Sequence, residues 1–174
     1  MHKVRLPDSL IRLVRRDTVR VSLCWTAGLL IGTLFAARGN PSCLSMMRLA
    51  AGCRASIVGL AAAAVLPFLL AAYAALFSRP ALLLAVCGCK AFCLGSVACL
   101  AANAFGSAGW LIQPLLQFTG LCTAPLLCWF CLRHLSGAAP TLRRDLRICI
   151  FIALLAAGID YAVVSPFLAR ITGI

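Results

Sequence analysis

Two ionisable side chains stand inside long apolar stretches of this chain. Lys90 lies in Cys87-Gly-Cys89-Lys90-Ala-Phe-Cys93-Leu-Gly95, and Asp160 lies in Gly158-Ile-Asp160-Tyr161. At the centre of a membrane helix each costs about 2.5 to 3.5 kcal/mol, so each should face other helices and find a partner there. The simplest partner for each is the other, and a buried structural ion pair between Lys90 and Asp160 is expected. A proton or ion relay is the alternative chemistry. Relays use further titratable groups, however, and the apolar stretches contain no other acid, lysine or histidine.

The uncharged polar residues are few. Gln113 and Gln117, four apart, share a helix face and can hydrogen-bond a neighbouring helix, a bond worth about 0.6 to 2 kcal/mol in a membrane. Asn103 is a third intramembrane polar residue. Cys128-x-x-Cys131 has redox or metal spacing, but no second such pair accompanies it and only His134 stands nearby, so the cysteines read as small polarisable packing residues. His2 and His134 fall outside the apolar stretches. There is no His-Glu pair, no pair of carboxylates on one helical face, no Gly-x-Ser-x-Gly elbow and no phosphate-cradling loop. The expectation is a non-enzyme with no catalytic residue, no cofactor and no bound metal.

The elements that would position these residues are transmembrane helices. Of 174 residues, 63% are hydrophobic and 11% charged, with a mean hydropathy of +1.03. Soluble domains carry about a quarter charged residues. The predicted fold class is all-α: a single-domain polytopic integral membrane bundle, residues 21–174, of about five transmembrane helices, preceded by a basic amphipathic interfacial helix over residues 1–20. The spans are placed at about 21–37, 56–77, 81–105, 110–132 and 148–167. A Gly106-Ser107-Ala108-Gly109 break makes the third and fourth a hairpin of two halves of about 24 residues, each able to cross a ~30 Å hydrocarbon layer. Ser78-Arg79-Pro80 is a tight turn, and Pro67 should bend the second span. Small residues at Gly28, Gly32, Gly95 and Cys99 offer helix-packing faces. Trp110 and Trp129 suit interface anchors.

Charge sets orientation. The net charge of +12 comes from basic residues flanking apolar spans, which is the positive-inside pattern and not a nucleic-acid stripe. Anionic lipid headgroups are the expected counter-charge, with no nucleic acid. Five spans with the N-terminus cytoplasmic and the C-terminus outside put eleven of the flanking Lys and Arg inside against four outside. The basic start resembles a signal peptide, but Leu34 and Phe35 spoil the cleavage pattern, so the first span reads as uncleaved. Loop 38–54 is the hardest to assign to one side.

Lys90-Ala-Phe-Cys-Leu-Gly95 resembles the Lys-Gly-Phe-x-Leu-Gly element of the stage II sporulation protein M family. The final Gly158-Ile-Asp160-Tyr-Ala-Val-Val-Ser-Pro166-Phe-Leu-Ala-Arg170 is similar to that family's last span, where an acidic residue precedes an aromatic and a Ser/Thr-Pro element. A Gly-rich turn, Gln117 and Pro125 look like its third-to-fourth span region. The resemblance covers about residues 80–170. It implies a non-enzymatic membrane scaffold of the engulfment machinery at the septal or forespore membrane. Its partners would be membrane-anchored peptidoglycan hydrolases, the sporulation proteins D and P, and homo-oligomerisation stays open. The alternative is a small transporter subunit, such as the substrate-binding membrane component of a vitamin or metal uptake system. That reading requires a midplane cavity with convergent polar groups, whereas a scaffold requires close packing.

Overall fold

A computed structural model of the chain describes residues 8–38, 56–135 and 141–172. Its elements are α1 (Asp8–Ala37), α2 (Ile57–Leu76), α3 (Pro80–Phe105), α4 (Gly109–Leu116), α5 (Phe118–Leu135), α6 (Leu142–Ile159) and α7 (Ser165–Thr172). A 3₁₀ turn at Gly106–Ala108 joins α3 to α4, and a π turn at Asp160–Val164 joins α6 to α7. No strand occurs among the described residues.

The expected division between a surface helix ending near residue 20 and a span starting at 21 is absent, because α1 runs unbroken from Asp8 to Ala37. Residues 8–27 contain neither proline nor glycine, and their arginines and leucines are strong helix formers, so nothing interrupts the helix. Residues 1–7 and most of loop 38–54, with its side and any re-entry, lie outside the described residues.

Backbone chemistry sets the turns. At the end of α2 the Ser78 N–H donates to the Ala75 carbonyl and the Arg79 N–H to the Ala74 carbonyl, each at 3.0 Å. Ser78 takes φ +50° to do so. This is a Schellman closure with serine where glycine is usual. Pro80 follows at the first helical position of α3, where its missing N–H costs nothing. At the other end of α3, Gly106 adopts φ +59° and ψ −132°, a region that favours glycine.

Beyond Gly106 the chain folds back on α3. The Gln117 side chain donates to the Leu94 carbonyl at 2.9 Å, and Cys131 Sγ approaches the Leu83 carbonyl at 3.7 Å. As the α5 number rises the α3 number falls, so α4 and α5 form one kinked return antiparallel to α3. By length and hydropathy alone, α3 and α4 make a single apolar stretch, Pro80–Leu116. The fold at Gly106 instead assigns α4 to the return.

α1 and α3 run parallel. Cys24 Sγ approaches the Leu84 carbonyl at 3.0 Å, and farther along Ser96 Oγ donates to the Gly32 carbonyl at 3.1 Å. α6 packs on α2 and α5. The core between these helices holds Phe68 and Phe130, edge to face at 6.4 Å, with Leu83, Leu127, Cys149 and Ala153 fully buried around them.

This arrangement gathers the starts of α3 and α6 and the end of α5 at one end of the bundle, and parallel packing on α3 brings the N-terminal part of α1 there too. That end carries Arg16, Arg20, Arg79, Arg133, Arg143, Arg144 and Arg147; at the opposite end the described residues include Arg38 and Arg170. Between the ends the surface is apolar, with Leu34, Phe35, Leu76 and Phe151 all at least 67% exposed. Five stretches are long and apolar enough to cross a membrane, which is compatible with a multi-pass membrane protein.

Candidate functional site

α2 and α3 leave the Ser78 turn close together and then part. A groove of about 400 Å³ opens between them, lined by Ala63, Leu66, Pro67, Ala85, Cys89 and Lys90 among others. Pro67 and Lys90 stand at matching distances from the hairpin turn. Proline at position 67 has no N–H to offer the Ala63 carbonyl, so that oxygen loses its helical donor on the groove wall. Lys90 lines the groove, and its Nζ reaches the first turn of α5: a Cβ built on Gly120 would lie 3.8 Å from it.

Lys90 makes no salt bridge and no hydrogen bond among the described residues. The ion pair expected with Asp160 is therefore not formed. Asp160 is buried and engaged elsewhere, its Oδ2 accepting from Thr119 Oγ1 at 2.6 Å and from the Thr119 backbone N–H at 3.2 Å. The break at Gln117 explains this choice. Pro114 sits inside α4 and α4 ends at Leu116, so the Thr119 N–H emerges at a new helix start instead of entering a helical bond. A carboxylate is the favoured acceptor at that position. Asp160 in turn sits at the start of the π turn, where the Ser165 N–H reaches back to the Asp160 carbonyl. Pro166, with no N–H of its own, follows at the second position of α7.

The other polar residues are used locally. Gln113 Nε2 donates to Gln117 Oε1 at 3.4 Å, and Gln117 passes the chain on to the Leu94 carbonyl. Asn103 is exposed and its Nδ2 lies 3.7 Å from Cys99 Sγ. Cys99 lines a second cleft, of about 260 Å³, with Thr33, Trp110 and Gln113. Cys128 and Cys131 do not act as a pair: Cys128 Sγ is 3.9 Å from Cys87 Sγ, while Cys131 turns to the Leu83 carbonyl. No group of three His, Cys, Asp or Glu that could hold a metal occurs among the described residues.

The small residues sit where α1 meets α3. A Cβ on Gly28 would collide with the Gly88 carbonyl oxygen, one on Gly32 with the Phe92 carbonyl, and one on Gly95 with the Leu29 carbonyl. The two helices thus touch backbone to backbone. Gly88, which sequence reasoning did not single out, completes the surface, with Cys24 Sγ 3.1 Å from where its Cβ would be.

A second polar cluster, also missed from sequence, lies at the basic end. Arg133 Nε is 2.8 Å from Asp145 Oδ2, the same oxygen that accepts from Thr141 Oγ1 at 2.9 Å. The Arg133 guanidinium lies 5.3 Å from the Trp129 ring centroid. His134 Nε2 is 3.3 Å from Asp145 Oδ2 but off the hydrogen-bonding direction, so this buried atom stays without a hydrogen bond. Sequence spacing alone could not join Arg133 to Asp145, because the helix-to-helix turn decides whether they meet.

Comparison of the chain with known protein families, characterised proteins and solved structures finds no match.

Proposed function

We propose that this chain is a non-enzymatic multi-pass membrane scaffold, its basic end cytoplasmic, that holds the spans of partner proteins against its lateral faces. One observation carries this reading. The bundle interior is filled by Phe68, Phe130, Leu83 and Leu127, whereas the groove bearing Lys90 opens sideways between α2 and α3. A transporter subunit needs convergent polar groups around a midplane cavity. Here Gln113 donates to Gln117 and Gln117 to the Leu94 carbonyl, and Asn103 points to an exposed surface.

The resemblance to the stage II sporulation protein M family supplies the partner class. Membrane-anchored peptidoglycan-degrading enzymes at the septal membrane would be recruited through their spans. The test is mild-detergent co-purification of the tagged full-length chain from sporulating cells. Peptidoglycan hydrolases retained in stoichiometric amounts are the expected result. Retention of an energy-coupling ATPase pair instead would overturn the scaffold reading in favour of a transporter subunit.

A further inference from the structure

The scaffold reading leaves open what a partner must carry, and the α2–α3 groove answers in chemical terms. A lysine held as an ammonium in an apolar groove needs an anion. The chain holds four acids, and the three whose side chains are described are all committed: Asp17 beside Arg20 at 3.8 Å, Asp145 to Arg133, and Asp160 to Thr119. The fourth, Asp8, begins α1, far along the chain from the stretch of α1 that meets α3. Lys90 is thus a cation without a counter-charge among the described residues.

Its depth limits what can supply that charge. Lys90 is ten residues into α3, about 15 Å from the basic end at 1.5 Å per residue, and so near the middle of a ~30 Å hydrocarbon layer. A phospholipid headgroup would have to drag its phosphate through half that layer to arrive. A carboxylate on a membrane helix can be held at any depth. The walls suit a helix, because Ala63, Ala85, Cys89 and Cys93 are small and small residues let helix backbones approach.

From the uncompensated Lys90 in this outward-facing groove, we infer that the α2–α3 groove docks a transmembrane helix of a partner protein carrying an aspartate or glutamate near its midpoint, which pairs with Lys90. The inference rests on the scaffold reading and assigns its specificity. Partners with an apolar span alone would fit the groove but gain nothing from Lys90. The Ala63 carbonyl, freed by Pro67, adds an acceptor that a serine or threonine on the same helix would satisfy.

The test uses the full chain reconstituted in phosphatidylcholine vesicles and two synthetic transmembrane helices of leucine and alanine, identical except for a central Asp or Leu. Binding is read by energy transfer from a donor on the chain. In parallel, maleimide labelling at Cys89 and Cys93, both exposed in the groove, reads occupancy. The Asp helix should bind about tenfold tighter than the Leu helix and shield both cysteines, and Lys90→Met should abolish that preference. Lys90→Met removes a lone charge from an apolar setting and so should not impair folding. Ala85→Leu, which fills the groove and leaves Lys90 in place, is the second variant and should weaken both helices. Equal binding of the two helices, or a preference that survives Lys90→Met, would overturn the inference. So would Lys90-dependent shielding by phosphatidylglycerol alone, which would make a lipid the occupant. If hydrolases co-purify equally with wild type and Lys90→Met, the groove assignment fails while the scaffold reading stands.

Discussion

The backbone contact between α1 and α3 can be broken one atom at a time. In Gly32→Ala the new Cβ meets the carbonyl oxygen, carbonyl carbon and Cα of Phe92, the two carbons at 3.0 Å. All three are backbone atoms of a helix, so no side chain can swing away. Restoring an ordinary 3.4 Å contact moves the helices apart by about 0.4 Å at the carbons and by more at the oxygen, loosening the packing along their shared length. Overpacking of this kind costs about 1 to 3 kcal/mol. Against that, alanine gains about 0.5 to 1 kcal/mol over glycine in a helix. Gly158→Ala is the internal control, since nothing lies within 4 Å of its Cβ, and it should show the gain alone. Gly88→Ala should fall between, its nearest neighbour being the Cys24 thiol. The assay is unfolding in mixed micelles by titration with dodecyl sulfate, in a background with Trp110 and Trp129 replaced by Phe, followed by the fluorescence of Trp25, which packs from α1 onto the core. A difference of about 1 to 3 kcal/mol between Gly158→Ala and Gly32→Ala corresponds to about 5- to 150-fold in the unfolding equilibrium. If Gly32→Ala is tolerated as well as Gly158→Ala, the close approach of α1 and α3 is wrong.

Four further outcomes follow from the contacts between helices. Asp160→Leu should cost about 1 to 3 kcal/mol in the same unfolding assay by orphaning the Thr119 N–H, with Asp160→Asn milder because its amide oxygen still accepts. A double-mutant cycle between Lys90→Met and Asp160→Asn should show coupling below about 0.5 kcal/mol, whereas a direct ion pair would show more. Gln117→Leu should cost about 0.6 to 2 kcal/mol through loss of the bond to Leu94, and Gln113→Leu less. In a variant keeping Cys87 and Cys128 as its only cysteines, mild oxidation should join α3 to α5, so that fragments cut at an engineered protease site near Ser107 stay together until reduced. Separation of the fragments without reductant would refute the antiparallel register.

The turns were legible in the sequence because each depends on local residues. Ser78-Arg79-Pro80 and the glycines at 106 and 109 announce themselves, whatever the rest of the chain does. The spacing of Gly28 and Gly32 marks a face for close approach, but the helix that meets it, and the contribution of Gly88, depend on tertiary register. Asp160 shows the limit most clearly. Its partner is a backbone N–H set free by a break at Gln117, and no count of side-chain charges could point to that. α1 shows the converse: composition changes near residue 20, yet the helix runs unbroken from Asp8 to Ala37.

The parallel packing of α1 on α3 also dictates an order of assembly. The atoms that α1 meets lie 60 to 64 residues farther along the chain. At about 5 to 20 residues per second a ribosome needs about 3 to 13 seconds to cover that interval. During that time α1, whose packing is chiefly against α3, exposes its glycine face with its eventual occupant not yet made, while α2 is being synthesised. A nascent chain arrested before residue 80 would therefore present Gly28 and Gly32 to whatever surface a helper protein offers, and release from that helper should coincide with the arrival of α3.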